Sequence, residues 1–309
     1  MEHLDQIQLK YIYDCIINAI KIGYRHFDCA HVFGNEKEVG KAFKFSLEKK
    51  LVKRDELFIT VKLWNSDHGI DIVSNACQYY LNNLGMGYLD LYLIHFPIAW
   101  KHTGIDTPSW GKSELDNDTS LIDTWREIEK LVASKKCRSI GVSNYPLLLL
   151  HDLVCQANVP VSCNHIETHV YYQRESLVNY CLSINICVAA QTPLGGGKAN
   201  EIWTNSLSPL DDPIVKEISA GKNSVTPAQV LLRFLLQSGV VVLPKSIKKS
   251  RMEENITLFS GGEIKLSDDE MHKLRTLDKY VSYKTNPNPL ESFIGGPDCF
   301  TENSTVIFD

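Results

Sequence analysis

The chain has 309 residues, 44% hydrophobic and 22% charged, with a net charge of −5. That composition suits a globular protein with a large core and excludes general nucleic-acid binding, which needs a concentrated basic surface, although a local basic pocket stays possible. The nine cysteines are odd in number and form no C-x-x-C pair, which argues against a disulfide framework or a zinc site and for reduced thiols in the cytoplasm. No basic-then-apolar leader opens the sequence and no apolar run is long enough for a membrane span, so a soluble monomer is expected. The glycosylation patterns at Asn117 and Asn303 are read as chance.

The chain begins with a helical pattern, in which Ile7, Tyr11, Cys15, Ile16, Ala19 and Ile20 share one face. Strand-like runs follow at 24–29, 57–63, 89–94, 138–142, 161–166, 186–190 and 240–243. Between them lie segments of helical spacing at 36–50, 70–84, 121–135, 147–155, 175–181 and 227–237. Strands that alternate with helices predict a parallel sheet with crossover helices, and runs apolar at nearly every position predict burial on both faces. One unbroken series favours a single (β/α)8 barrel domain over 1–309 rather than two doubly wound halves, and no G-x-G-x-x-G follows any strand. A closed barrel of this kind has eight strands, and only seven are legible. The expectation is a barrel lacking its N-terminal hairpin and first strand, with an edge through which another chain or segment could associate.

Functional groups of such barrels gather at the C-terminal ends of the strands. The residues there are Asp28, Lys62, His95, Ser143 with Asn144, Asn164 with His165 and Glu167, Gln191 with Thr192, and Lys245 with Ser246. Singly each has a bland explanation: Asp28 as a structural ion-pair partner, Lys62 as a solvated lysine, His95 as a satisfied core histidine. A polar or charged group at every strand end is hard to explain by packing. A carboxylate, an ammonium and an imidazole on one rim can acidify a hydroxyl donor and hydrogen-bond a carbonyl oxygen.

The segment from Gly23 to Glu36, centred on Asp28, resembles the signature of the aldo-keto reductases around their catalytic aspartate. Val61–Trp64 is similar to their lysine segment and Leu91–Pro97 to their histidine segment. Residues 140–144 resemble the motif that holds the nicotinamide carboxamide, and 243–246 with Arg251, Glu254 and Asn255 the motif for the adenosine 2′-phosphate. A helix at 267–279 and a long tail follow, as in that family. The resemblance implies NADP(H) as cofactor, held by Ser143, Asn144, His165, Gln191, Thr192, Leu194, Lys245, Ser246, Arg251, Glu254 and Asn255, and a small carbonyl compound as substrate. Lys245 and Arg251 supply the charge an anion needs, and an arginine can fork two of its oxygens; against this stands a merely solvated basic face made with Lys248 and Lys249. Trp64, Phe96 and Trp100 offer apolar walls for a substrate, to be closed by the loop 101–119 and the tail 285–309.

Three positions depart from the family pattern. The tyrosine that donates the proton lies five residues after the aspartate, and that position is Phe33. His165 stands where a glutamine is common, and Gln191 where a tyrosine stacks on the nicotinamide. Three readings follow: an NADP(H)-dependent carbonyl reductase with impaired catalysis; a member of the same fold that binds a nucleotide or a partner with little or no catalysis; and an unrelated phosphate-using barrel enzyme, which gives Trp64, Ser143 and Asn144 no role.

Overall fold

A computed structural model describes residues 6–105, 114–196, 208–259 and 264–280. The chain divides into two compact units, Met1–Cys163 and Asn164–Asp309. Seven strands lie among the described residues.

The first unit opens with α1 (Gln6–Ile22), which buries Ile17 and Ile20 and exposes Tyr11. It continues through β1 (His26–Asp28), α2 (Glu36–Glu48), β2 (Phe58–Leu63), α3 (Val73–Leu84) and β3 (Leu89–Ile94) to α4 (Leu121–Ala133), β4 (Cys137–Ser143) and α5 (Leu147–Gln156). The strands β1 to β4 pair in parallel, each with the next in the chain. β3 is buried at every residue, as its nearly unbroken apolar run predicts. The exception inside it, Asp90, is held by Arg54 at 2.8 Å, Arg138 at 3.3 Å and the Ile59 amide at 3.0 Å. β1 is shorter than the 24–29 run because the Tyr24 amide still bonds the Ala19 carbonyl at 2.9 Å, and Arg25 folds back onto the carbonyls of Ile20 and Tyr24. Glycine is required at Gly40, where a β-carbon would lie 2.2 Å from the Asn83 carbonyl oxygen, and at Gly141, where it would lie 2.5 Å from that of Cys163.

The second unit carries most of β5 (Cys163–Glu167), then α6 (Glu175–Ser183), β6 (Cys187–Gln191), α7 (Pro213–Ala220), α8 (Pro227–Gln237), β7 (Val240–Val242), α9 (Lys249–Ile256) and α10 (Asp268–Arg275). β6 and β7 pair in parallel. β7 ends before Pro244, which has no N–H to give a ladder. Two helices start on reciprocal caps, Thr226 with Gln229 and Ser267 with Glu270. These satisfy first-turn amides that would otherwise face no partner. α7 is among the described helices that the hydrophobic spacing does not predict; its start is written instead in Asp212-Pro213, with Asp212 accepting from the Ile214 amide at 2.8 Å.

Among the described residues no helix is long and apolar enough to cross a membrane, and no group of three or more His, Cys, Asp or Glu side chains could hold a metal ion. The buried thiols of Cys77 and Cys137 share a hydrogen bond at 4.0 Å and no disulfide.

Candidate active site

In the first unit the register opposes Asp28 to Thr60, two positions before Lys62 on β2. Positions i and i+2 of a strand share a face, which puts the lysine within reach of the carboxylate. Lys62 Nζ donates to both Asp28 oxygens at 2.6 Å. The side chain of Lys62 is 3% exposed and that of Asp28 19%. The loop beyond Asp28 makes one tight turn, His31–Phe33, closed by Gly34 in the left-handed region (φ 60°). His31 anchors that turn: its Nδ1 meets Glu36 Oε1 at 2.8 Å, both groups buried. Burial alone would lower the His31 pKa, but the Glu36 hydrogen bond and charge, with Asp67 behind them, leave it raised. At the end of the turn the Phe33 ring is 49% exposed. Its centroid lies 5.9 Å from Lys62 Nζ. The ring therefore lies beside the Lys62 end of the Lys62–Asp28 pair.

The next strand ends supply a second cluster. The His95 amide bonds the Leu63 carbonyl at 3.1 Å, which ties the end of β3 to β2. The His95 ring stacks on Phe96 at 4.8 Å and meets the Trp64 edge at 5.2 Å. Trp64 also makes edge contacts with Phe96 and Trp100. Of the three residues read as substrate walls, Trp64 and Phe96 thus pack on His95, and Trp100 packs on Trp64. Asn144 follows β4 in the left-handed region (φ 62°). Its amide donates to the His95 carbonyl at 2.8 Å and to Ser143 Oγ at 3.1 Å.

The segment after Trp100 is pinned to the end of β2. The Trp100 amide bonds the Asn65 carbonyl at 2.9 Å. His102 Nδ1 lies 2.9 Å from the Ser66 carbonyl and 3.3 Å from Asp67 Oδ1. Asp67 is fully buried and takes the Tyr80 hydroxyl at 3.0 Å; burial raises its pKa against the opposing pull of Tyr80, His31 and His102. Nothing in the sequence marks this Asp67 network, because Tyr80, His102 and His31 lie 13 to 36 residues from Asp67 along the chain. Of the closing segments expected from the sequence, residues 106–113 and the tail 285–309 lie outside the described residues.

In the second unit, Gln191 Nε2 donates to the His165 carbonyl at 3.2 Å, which brings together two of the positions that depart from the family pattern. Thr192 follows with φ 48°, and its Oγ1 is buried without a hydrogen-bond partner. Leu194 is half-buried and precedes Gly195, whose φ is 68° and which packs against Pro209. Beyond β7, Lys245, Lys248 and Arg251 are exposed, and among the described residues none of the three has an ion-pair partner. Lys249 differs, pairing with Glu253 at 3.5 Å. Ser246 Oγ accepts from the Lys248 amide at 3.1 Å. Asn255 is buried, and Glu254 is committed to α8, taking the Thr226 hydroxyl at 2.6 Å. Uncompensated cations and an orphaned buried hydroxyl are what a phosphate-bearing nucleotide would satisfy, so this donor set fits NADP(H).

The Aldo/keto reductase family model matches residues 2–279. The NADP-dependent D-sorbitol-6-phosphate dehydrogenase of Malus domestica is 42% identical over 288 residues, covering 92% of this chain and 89% of that protein. The NADPH-dependent D-xylose reductase of Meyerozyma guilliermondii is 39% identical over 275 residues, 86% of each chain. The solved aldose reductase of Schistosoma japonicum superposes with a TM-score of 0.82 at 36% identity, covering 96% of this chain and 91% of that one. The fold class is the parallel (β/α) barrel type read from the sequence, with seven strands among the described residues. On the family model and on these relatives, the chain belongs to the aldo/keto reductase family.

Proposed function

We propose that this chain is an NADP(H)-dependent oxidoreductase that reduces the carbonyl group of an aldehyde or ketone, at a rate held down by Phe33. The observation that carries the reading is the Lys62–Asp28 pair, closed at 2.6 Å beside a ring that has no hydroxyl. The reading treats residues 1–309 as one domain, because the family match runs through both compact units.

When bound, the nicotinamide supplies the hydride. Every other requirement falls on the chain itself. Reduction leaves negative charge on the carbonyl oxygen, which needs a proton or a strong donor in the transition state. Lys62 and Asp28 hold a fixed charge pair against the Phe33 ring, but a phenyl group has no proton to pass. His95, its ring fixed by Phe96 and Trp64 and its backbone by Asn144, is the donor left to hydrogen-bond that oxygen. Loss of a positioned general acid costs roughly 10²–10⁴ in rate. Lys245, Ser246 and Arg251 would take the 2′-phosphate, Glu254 and Asn255 the adenine side, and Ser143, Asn144, His165, Gln191, Thr192 and Leu194 the nicotinamide half. The Malus and Meyerozyma relatives are named for a sugar phosphate and a sugar, which supports a polar small-molecule substrate beside the aromatic walls.

The test is steady-state NADPH oxidation with an aromatic aldehyde and an aldose, comparing the parent chain with Phe33→Tyr across pH. The tyrosine is expected to raise kcat/KM by about 10²–10⁴. A parent that already turns over at roughly 1–10³ s⁻¹ and gains nothing from the tyrosine sinks the proposal. If both proteins bind NADPH and neither turns over, the reading as a reductase fails and a nucleotide-binding role replaces it.

A further inference from the structure

We propose that Arg174 forms a binding site for a phosphate-class oxyanion in the second unit, separate from the Lys245–Arg251 group. The segment between β5 and α6 is tightly held. The Thr168 amide bonds the Gln191 carbonyl at 3.4 Å, and His169 and Tyr172 exchange backbone bonds at 3.1 and 2.9 Å. Gln173 Nε2 reaches the carbonyls of Leu274 and Arg275 at 3.0 and 3.1 Å. Arg174 closes this segment with φ 51° and ψ 42°, left-handed values that favour glycine, and caps α6 without any side-chain cap bond.

Its guanidinium lies 5.3 Å from the Tyr172 ring centroid. Arg174 is only 7% exposed, and its Nε is buried with no hydrogen-bond partner. Among the described residues the side chain makes no ion pair; Glu175, next in the chain, is exposed and does not reach back to it. A guanidinium cannot shed its proton to escape burial, as a lysine or histidine can. Buried charges are otherwise paired; only Nε is shut off from solvent, so the terminal nitrogens, which bond no described group, are the donors left to an anion arriving from solvent, and one ring face does not replace a counter-ion. The missing partner is therefore an anion. The planar fork of arginine suits two oxygens of a phosphate, and the uncapped first turn of the nine-residue helix α6 adds amide donors of the same preference.

The inference does not depend on the catalytic reading and is tested without turnover. The full chain, the Arg251→Ala variant, and Arg174→Met in both backgrounds are titrated with inorganic phosphate and with glycerol 3-phosphate in a zwitterionic buffer, by calorimetry and by thermal unfolding. Phosphate is expected to bind and to raise Tm with or without Arg251. Arg174→Met should lower its affinity at least about tenfold, and Arg174→Lys, which keeps the charge but loses the fork, should fall between. Without phosphate, Arg174→Met should be no less stable than the parent, because an uncompensated buried charge is gone. Tighter binding of glycerol 3-phosphate identifies a phosphomonoester site, and tighter binding of inorganic phosphate a free-ion site. Should Arg174→Met not fold, Arg174→Lys carries the test alone. A phosphate affinity unchanged by the Arg174 variants, an equal response to chloride, or no binding by the parent overturns the site.

Discussion

The two units hold their candidate functional groups in opposite ways. In the first unit the charged groups are closed on one another: Lys62 on Asp28, His31 on Glu36, and Asp67 on Tyr80 and His102. In the second unit Lys245 and Arg251 stand exposed, with no carboxylate to answer them among the described residues. Groups that must hold one geometry through a reaction gain from burial, where neighbours fix them before a ligand arrives. Groups that must grip a phosphate gain from being unanswered, because an internal ion pair would have to break first. Stability should therefore depend on the first set and ligand affinity on the second.

The largest effect expected on the closed side comes from opening the Lys62–Asp28 pair. Lys62→Met leaves a partly buried carboxylate without its cation, and removing one partner of such a pair typically costs about 3–5 kcal/mol, less here because Asp28 keeps some access to water. Denaturant unfolding of Lys62→Met, Asp28→Leu and the double variant separates packing from chemistry. The double variant should recover most of the stability and none of the activity. Equal stability of the parent and Lys62→Met would falsify the closed-pair account. Phe33→Tyr makes a useful contrast, since its half-exposed ring should change rate with little change in unfolding.

The same side carries two histidines that pull stability in opposite directions. His68 is fully buried, and burial lowers its pKa to about 3. The unfolded chain takes up this proton below pH ~6.5 while the native chain resists, so stability should fall from pH ~6.5 to about 3, by on the order of 3–5 kcal/mol at the acid limit. His31 is raised instead, so its contribution is complete below pH ~6.5 and disappears as pH climbs through its folded value. Urea unfolding across pH should show a flatter acid limb for His68→Asn. For His31→Gln the deficit should be larger at pH 5 than at pH 9. Parallel curves for the parent and His68→Asn would remove the argument.

What the sequence discloses follows how local each signal is. β3 is legible because six consecutive buried residues leave a mostly apolar run, and Phe33 because its distance from Asp28 along the chain is fixed. α7 escapes the spacing argument because eight residues give too few turns for a periodic face, although Asp212-Pro213 marks its start. The Asp67 and Asp90 networks and the loneliness of Arg174 are illegible for another reason. A hydrogen bond between Arg54 and Asp90, or the absence of one at Arg174, is decided by what the fold brings near, and residues 31 or 36 positions apart leave no mark on each other in the sequence. Glu254 shows the mixed case: its motif is readable, while its bond to Thr226 appears only in three dimensions.

The smallest effect sharpens the open side of the comparison. Arg251→Ala removes an exposed guanidinium that bonds to nothing else among the described residues, so unfolding should change by no more than about 0.5 kcal/mol, as at other surface positions. Its affinity effect should be specific. A charge-assisted hydrogen bond is worth about 1.5–3 kcal/mol, so NADPH should bind on the order of 10- to 100-fold more weakly, while NADH, which lacks the 2′-phosphate, should bind nearly as before. Lys249→Ala is the control on the same helix: Lys249 is already paired with Glu253, and its loss should leave the NADPH-to-NADH ratio in place. Fluorescence titration of both nucleotides against the three proteins reads the ratio directly. If Arg251→Ala weakens NADPH and NADH alike, the guanidinium serves the shared part of the nucleotide and the 2′-phosphate must be read elsewhere. If Lys249→Ala costs as much as Arg251→Ala, the selectivity comes from the summed charge of an exposed basic face, and the distinction between answered and unanswered cations does no explaining there.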